Sequence, residues 1–76
     1  MKWIEEDMLL VRDFNFKDFK SALEFVNKVA NLAQKVGHHP NILIHNYNKV
    51  RITLTTHSEN KITEKDRSLA REIDKL

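Results

Sequence analysis

The hydrophobic pattern of this chain changes period three times, and each change marks an element boundary. From Met8 to Phe16 the side chains alternate. Met8, Leu10, Arg12, Phe14 and Phe16 take one side, and Leu9, Val11, Asp13 and Asn15 the other. That predicts a strand preceded by a turn at Glu6–Asp7, with Trp3-Ile4-Glu5 as a short extended segment ahead of it. Phe19, Leu23, Val26, Ala30, Ala33 and Val36 then recur at helical spacing, with Ala22 and Val29 alongside. Asn15 or Asp18 caps this helix, Gly37 ends it, and Pro40 prevents its continuation. Ile42 and Ile44 open a second extended run, and Asn46-Tyr47-Asn48-Lys49 reads as a turn with a bulge at Asn46. Val50 to His57 alternates again, with Val50, Ile52 and Leu54 toward a core and Arg51, Thr53, Thr55 and His57 away from it. Thr63-Glu64-Lys65-Asp66 has the form of a capping box with Asp66 in the Glu position, and Leu69, Ala70, Ile73 and Leu76 make the stripe of a final helix. The predicted order β-β-α-β-β-α defines an α+β fold, a four-stranded antiparallel sheet with two helices packed on one face. The other face and the sheet edges are left for ligands or partner subunits.

Seventy-six residues make one domain, expected over 1–76, with a modest core that oligomerisation would reinforce. One Gly and one Pro leave no linker or low-complexity stretch. The absence of Cys excludes a disulfide framework, a thiolate nucleophile and a Cys-based zinc site. The apolar runs are too short for a membrane span, and Glu5-Glu6 follows the start at once, unlike a secretory signal. A cytoplasmic protein is the expectation. The net charge of +2 is spread among interspersed acids and bases, as in Glu59 to Arg67, so no gathered phosphate-binding face is expected. Aromatics are scarce on the polar strand faces, which removes the stacking platform of a single-strand nucleic-acid binder.

Three of the four histidines carry the chemical signal. His38-His39-Pro40 follows the helix stop, and His57 ends an alternating strand. Imidazole has an ordinary pKa of about 6.5, so a cluster can deliver and accept protons near neutral pH. Pro40 stiffens the segment and biases His39 toward extended backbone. A three-histidine zinc site is the competing reading, but adjacent histidines in an extended segment point apart, and no carboxylate stands out as their outer partner. Ser58 beside His57 lacks the glycine-rich oxyanion loop of a hydrolase. His45 reads as a surface residue. Asp66 is read first as a helix cap, with catalysis as the alternative. Tyr47 is read as a packed aromatic anchoring its turn. Thr55 or Thr56 offers a ligand a hydroxyl or backbone group near His57.

His38-His39-Pro40, Tyr47, His57 and Asp66, at these spacings, closely resemble the signature of the pterin-4a-carbinolamine dehydratases. Phe14-Asn15-Phe16-Lys17-Asp18-Phe19, Tyr47-Asn48-Lys49-Val50, Leu54-Thr55-Thr56-His57 and Ile62-Thr63-Glu64-Lys65-Asp66 resemble further stretches of that family, so the likeness runs nearly the whole chain. It implies removal of water from a 4a-hydroxytetrahydropterin to give the quinonoid dihydropterin, in the recycling of the cofactor of aromatic amino-acid hydroxylases. It implies that His38, His39 and His57 carry the proton transfers, with no metal or organic cofactor. It assigns Pro40, Thr55, Thr56 and Trp3 to substrate binding, and Asp66, Gln34 and Tyr47 to supporting roles. Homodimers or homotetramers are implied, joined through edge strands and helices, with an indirect link to a hydroxylase and no nucleic-acid partner. The family often carries an acid four positions before the first His, where this chain has Gln34, an amide that can only hydrogen-bond. The chain also begins about where the family's shared Trp falls, here Trp3, whereas many relatives carry a preceding helix. Those two departures keep open an alternative, a catalytically weak pterin-binding or protein-assembly module of the same fold.

Overall fold

The computed structural model describes residues 2–76. Its elements are β1 (Ile4–Glu6), β2 (Leu9–Asn15), α1 (Phe19–Val36), β3 (Asn41–His45), β4 (Lys49–Leu54) and α2 (Glu64–Asp74). The sheet order is β1-β2-β4-β3, antiparallel throughout, as expected. Leu10, Phe14, Val50, Ile52 and Leu54 share one face of it. They join Ala22 and Val29 of α1 and Leu69, Ala70 and Ile73 of α2 in a single apolar cluster. Phe25 of α1 packs on both Phe14 and Phe16, with ring centroids 4.7 and 5.0 Å apart. No helix among the described residues is long and apolar enough to cross a membrane.

The buried side of α1 differs from the expected stripe. Ala22, Val29 and Ala33 are buried, while Phe19 and Val36 are about half exposed, at 53% and 51%. The helix carries two adjoining apolar rows, and small Ala22 and Ala33 let its backbone approach the sheet closely. Asp18, not Asn15, is the cap: its Oδ1 accepts the Ser21 N–H at 2.8 Å. Gly37 ends the helix in the left-handed region at φ 73, its N–H donating to the Ala33 carbonyl at 2.9 Å. Leu76 lies beyond the end of α2 and is exposed.

The first hairpin turns one residue later than expected, and the second turns where expected, one residue shorter. The first turn is Asp7–Met8, both left-handed at φ 52 and 66, the type I′ form of a two-residue hairpin closing the Glu6↔Leu9 pair. The second is Asn46–Asn48, with Asn46 and Tyr47 left-handed and the strand resuming at Lys49. The Asn48 Nδ2 donates to the Phe16 carbonyl at 2.8 Å, and the Phe16 N–H to the Asn48 carbonyl at 2.8 Å, tying this turn to the end of β2. Tyr47 is 65% exposed and does not pack as the turn's anchor. β4 stops at Leu54, so His57 lies past the strand rather than on its last residue.

Met8 takes the left-handed position that Asp-Gly hairpins reserve for glycine, and it is largely exposed. Met8→Gly is expected to stabilise the fold by about 0.5–1 kcal/mol, read as a higher midpoint in urea denaturation with an unchanged slope.

Candidate active site

Three segments meet at one end of the sheet. β3 and β4 are antiparallel with Asn41 opposite Thr53, so the start of β3 lies beside the end of β4. The register therefore carries His38-His39-Pro40, just before β3, to Thr55-Thr56-His57, just after β4. The first turn of α2 comes back to the same place through a bridge between Thr56 and Lys61. His38, His39, Thr55, Thr56, His57 and Lys65 line a cleft of about 260 Å³. A second groove of similar size, with Val36, Leu69 and Glu72 in its walls, shares Gly37, His38 and Lys65 with it. The larger concavity, about 680 Å³, involves Val11, Asp13 and Arg51 of the open sheet face and none of the histidines.

The adjacent histidines point to different partners. His38 is bound through Nε2 to Asp66 Oδ1 at 2.5 Å. His39 Nε2 lies 3.2 Å from the Gln34 Oε1, one turn back in α1. His38 is mostly buried, with 17% of its side chain exposed, whereas His39 and His57 are open to solvent. His57 sits in the turn between Thr56 and Lys61, which is closed by Thr56 N–H to the Lys61 carbonyl at 3.0 Å and Glu59 N–H to the Thr56 carbonyl at 3.0 Å. Pro40, half-buried, leads directly into β3.

Asp66 is fully buried, with 0% exposure. Its Oδ2 accepts the Thr63 N–H at 2.9 Å, half of the capping box, and the Thr56 hydroxyl at 2.8 Å. Burial alone raises such a carboxyl, but the hydrogen bonds from His38, Thr63 and Thr56, with the charge of His38, hold it below its ordinary range. Capping and histidine support are thus functions of one carboxylate, one oxygen facing each. The carboxylate partner that spacing alone did not reveal is this residue.

Of the residues assigned to substrate binding, Trp3 and Thr56 are buried and Thr55 stays at the cleft. Trp3 is buried in the core, edge-on to Phe14 at 6.3 Å, with its Nε1–H donating to Asp74 Oδ1 at 2.8 Å. Arg12 also binds that carboxylate and lies over the Phe14 ring at 4.3 Å, so the indole is part of a structural cluster. Thr55 faces the cleft but donates its hydroxyl to the Met8 carbonyl at 3.1 Å. Lys65 was not singled out by the sequence. Its position inside the capping box, one residue before Asp66, was the available signal. Among the described residues, no three His, Asp or Glu side chains gather in a metal-binding group.

The fold and this constellation define a small α+β protein with a histidine-lined cleft at one end of its sheet. The family described as pterin 4 alpha carbinolamine dehydratase matches residues 1–76, and the chain belongs to that family. A relative from Thermomicrobium roseum bearing the family's name is 47% identical over 74 residues, 97% of this chain and 78% of that protein. One from Sulfolobus acidocaldarius is 42% identical, over 97% of this chain and 80% of its own. A solved structure described as a transcriptional coactivator/pterin dehydratase from Brucella melitensis superposes with a TM-score of 0.88 at 41% identity, covering 96% of this chain and 79% of that one. A pterin dehydratase-like protein described as a RuBisCO assembly factor of the alpha-carboxysome gives 0.74 at 26% identity, over 95% and 82%.

Asp66→Asn keeps the shape but places an amide NH2 among groups that all donate. A loss of about 3 kcal/mol is expected in urea denaturation near neutral pH. Because the folded-state pKa of Asp66 is lowered, its contribution is complete above the unfolded value of about 3.9 and is lost as pH falls through the folded value. The gap between wild type and variant should therefore narrow below pH 4 and not above pH 7.

Proposed function

We propose that this chain dehydrates 4a-hydroxytetrahydropterins by imidazole acid–base catalysis. The observation that carries the reading is the convergence of His38, His39 and His57 on one cleft, with His38 braced from behind by buried Asp66. Dehydration requires that the 4a-hydroxyl leave with a proton as water and that the N5 proton be removed. The two transfers balance, so a protonated and a neutral imidazole exchange roles without net change. Near neutral pH histidine populates both forms. With Nε2 of His38 committed to Asp66, Nδ1 is its nitrogen for chemistry. The cleft is small beside the usual 300–1,000 Å³ of ligand pockets, which suits a bicyclic ring. The adjoining groove past Val36 and Leu69 gives a ring substituent room to extend.

Gln34 gives His39 an uncharged acceptor, so this chain aligns that ring without pairing it to a carboxylate. A protein-assembly role with little catalysis is the second reading, favoured by the structural likeness to the RuBisCO assembly factor. A homo-oligomer is part of the proposal, since β1 and β3 are edges and Leu43 on β3 is 54% exposed.

Ultraviolet stopped flow on 4a-hydroxytetrahydropterin tests the reading. Native protein should accelerate loss of the substrate above the spontaneous rate. His39→Ala and His57→Ala, both at exposed positions and expected to fold, should each lower kcat by about 10²-fold or more. A native protein that gives only the spontaneous rate, yet binds a pterin product analogue, sinks the enzymatic reading and favours the module.

A further inference from the structure

We propose that Thr56 is a positioning residue for this site: its buried hydroxyl, backed by Thr63, orients Asp66 and thereby fixes the tautomer of His38, while its backbone holds the turn carrying His57. The inference deepens the dehydratase reading and rests on it. The argument is an inventory of protons. A carboxylate only accepts hydrogen bonds. Thr56 has one hydroxyl proton, and it goes to Asp66 Oδ2 at 2.8 Å. The Thr56 oxygen also lies 2.7 Å from the Thr63 Oγ1, so in that contact Thr56 must accept and Thr63 must donate. Oδ2 takes a second proton contact from the Thr63 N–H. The direction of every bond is then set, from Thr63 to Thr56 to Asp66. Only Oδ1 remains to face His38, and it requires Nε2 to carry a proton. In the neutral ring that leaves Nδ1 as the free lone pair.

The second half concerns the backbone. The Thr56 N–H and carbonyl both bind within the turn of His57, to Lys61 and Glu59. One buried residue, 4% exposed, thus links the two histidine-bearing segments. Its hydroxyl is wholly engaged in this chain, so its part in the site is indirect and not a contact to substrate. A threonine kept only for its volume would be replaced by valine without effect.

Long-range ¹H–¹⁵N correlation of the imidazoles, read on the neutral rings, tests this with steady-state kinetics alongside. Wild-type His38 should show the Nε2–H pattern. Thr56→Val should move it toward a tautomer mixture and lower kcat on the order of tenfold with KM nearly unchanged, since a fully placed acid–base group contributes about 10²–10⁴-fold. Thr56→Ser, which restores the hydroxyl, should recover both. A wild-type His38 that is mainly Nδ1–H, or a folded Thr56→Val with unchanged His38 signals, overturns the proposal. Should Thr56→Val fail to fold, Thr63→Val decides by the same reading: mixing supports the relay and unchanged signals overturn it. Absence of dehydration by the wild-type chain fails the enzymatic reading alone, because the tautomer decides the relay without substrate.

Discussion

A carboxylate with no exposed surface is the constraint around which this end of the molecule is organised. Removing Asp66 from water is costly, and the cost is met only because donors surround it on both oxygens. Each donor belongs to a different segment: His38 to the loop after α1, Thr56 to the stretch after β4, Thr63 to the start of α2. The carboxylate therefore ties together three segments at the end of the sheet, beyond the apolar cluster. A hydrophobic contact in its place would hold them together without specifying angle or register. The ionic group supplies direction, holding the His38 ring by its Nε2.

The sheet underneath is what brings those donors within reach. Its central pair, β2 and β4, is anchored by Leu10 against Leu54 and Phe14 against Val50. A slip of one residue would turn these apolar side chains to the open face and Asp13 and Arg51 to the core. Register is thus strongly specified in the middle of the sheet. The edge strand β3 inherits it through Ile42 opposite Ile52 and Ile44 opposite Val50. The placement of His38 and His39 follows from that inheritance, since they precede the first residue of β3 by three and two positions.

What could be read in the sequence was whatever local chemistry dictates. The alternation of Val50, Ile52 and Leu54, the stop at Gly37 and the Thr63–Asp66 box survive in the folded chain because each depends on near neighbours. The buried row of α1 was not legible, because Phe19 and Leu23 are as apolar as Phe25 and Val29 and only the sheet chooses between them. Trp3 looked like a ligand contact and is a core residue, since its partner Asp74 lies 71 positions away. The His38–Asp66 bond spans 28 positions, and the Thr56 hydroxyl bond to the same carboxylate 10. The histidine cluster was visible by its residue types and spacing, whereas what stands behind it is a property of three dimensions.

The bridge between Thr56 and Lys61 has a consequence for variation in this scaffold. It closes a short loop whose two ends are fixed to each other before α2 begins. Extra residues placed among positions 58–60 would lengthen the rim without disturbing the bridge or the hydroxyls beneath it, because lengthening a surface loop costs little entropy. The mouth of the cleft, where His57 sits, and the buried bonds among Thr63, Thr56 and Asp66 are therefore separable: one can be recut for a larger or differently charged molecule while the other is left alone.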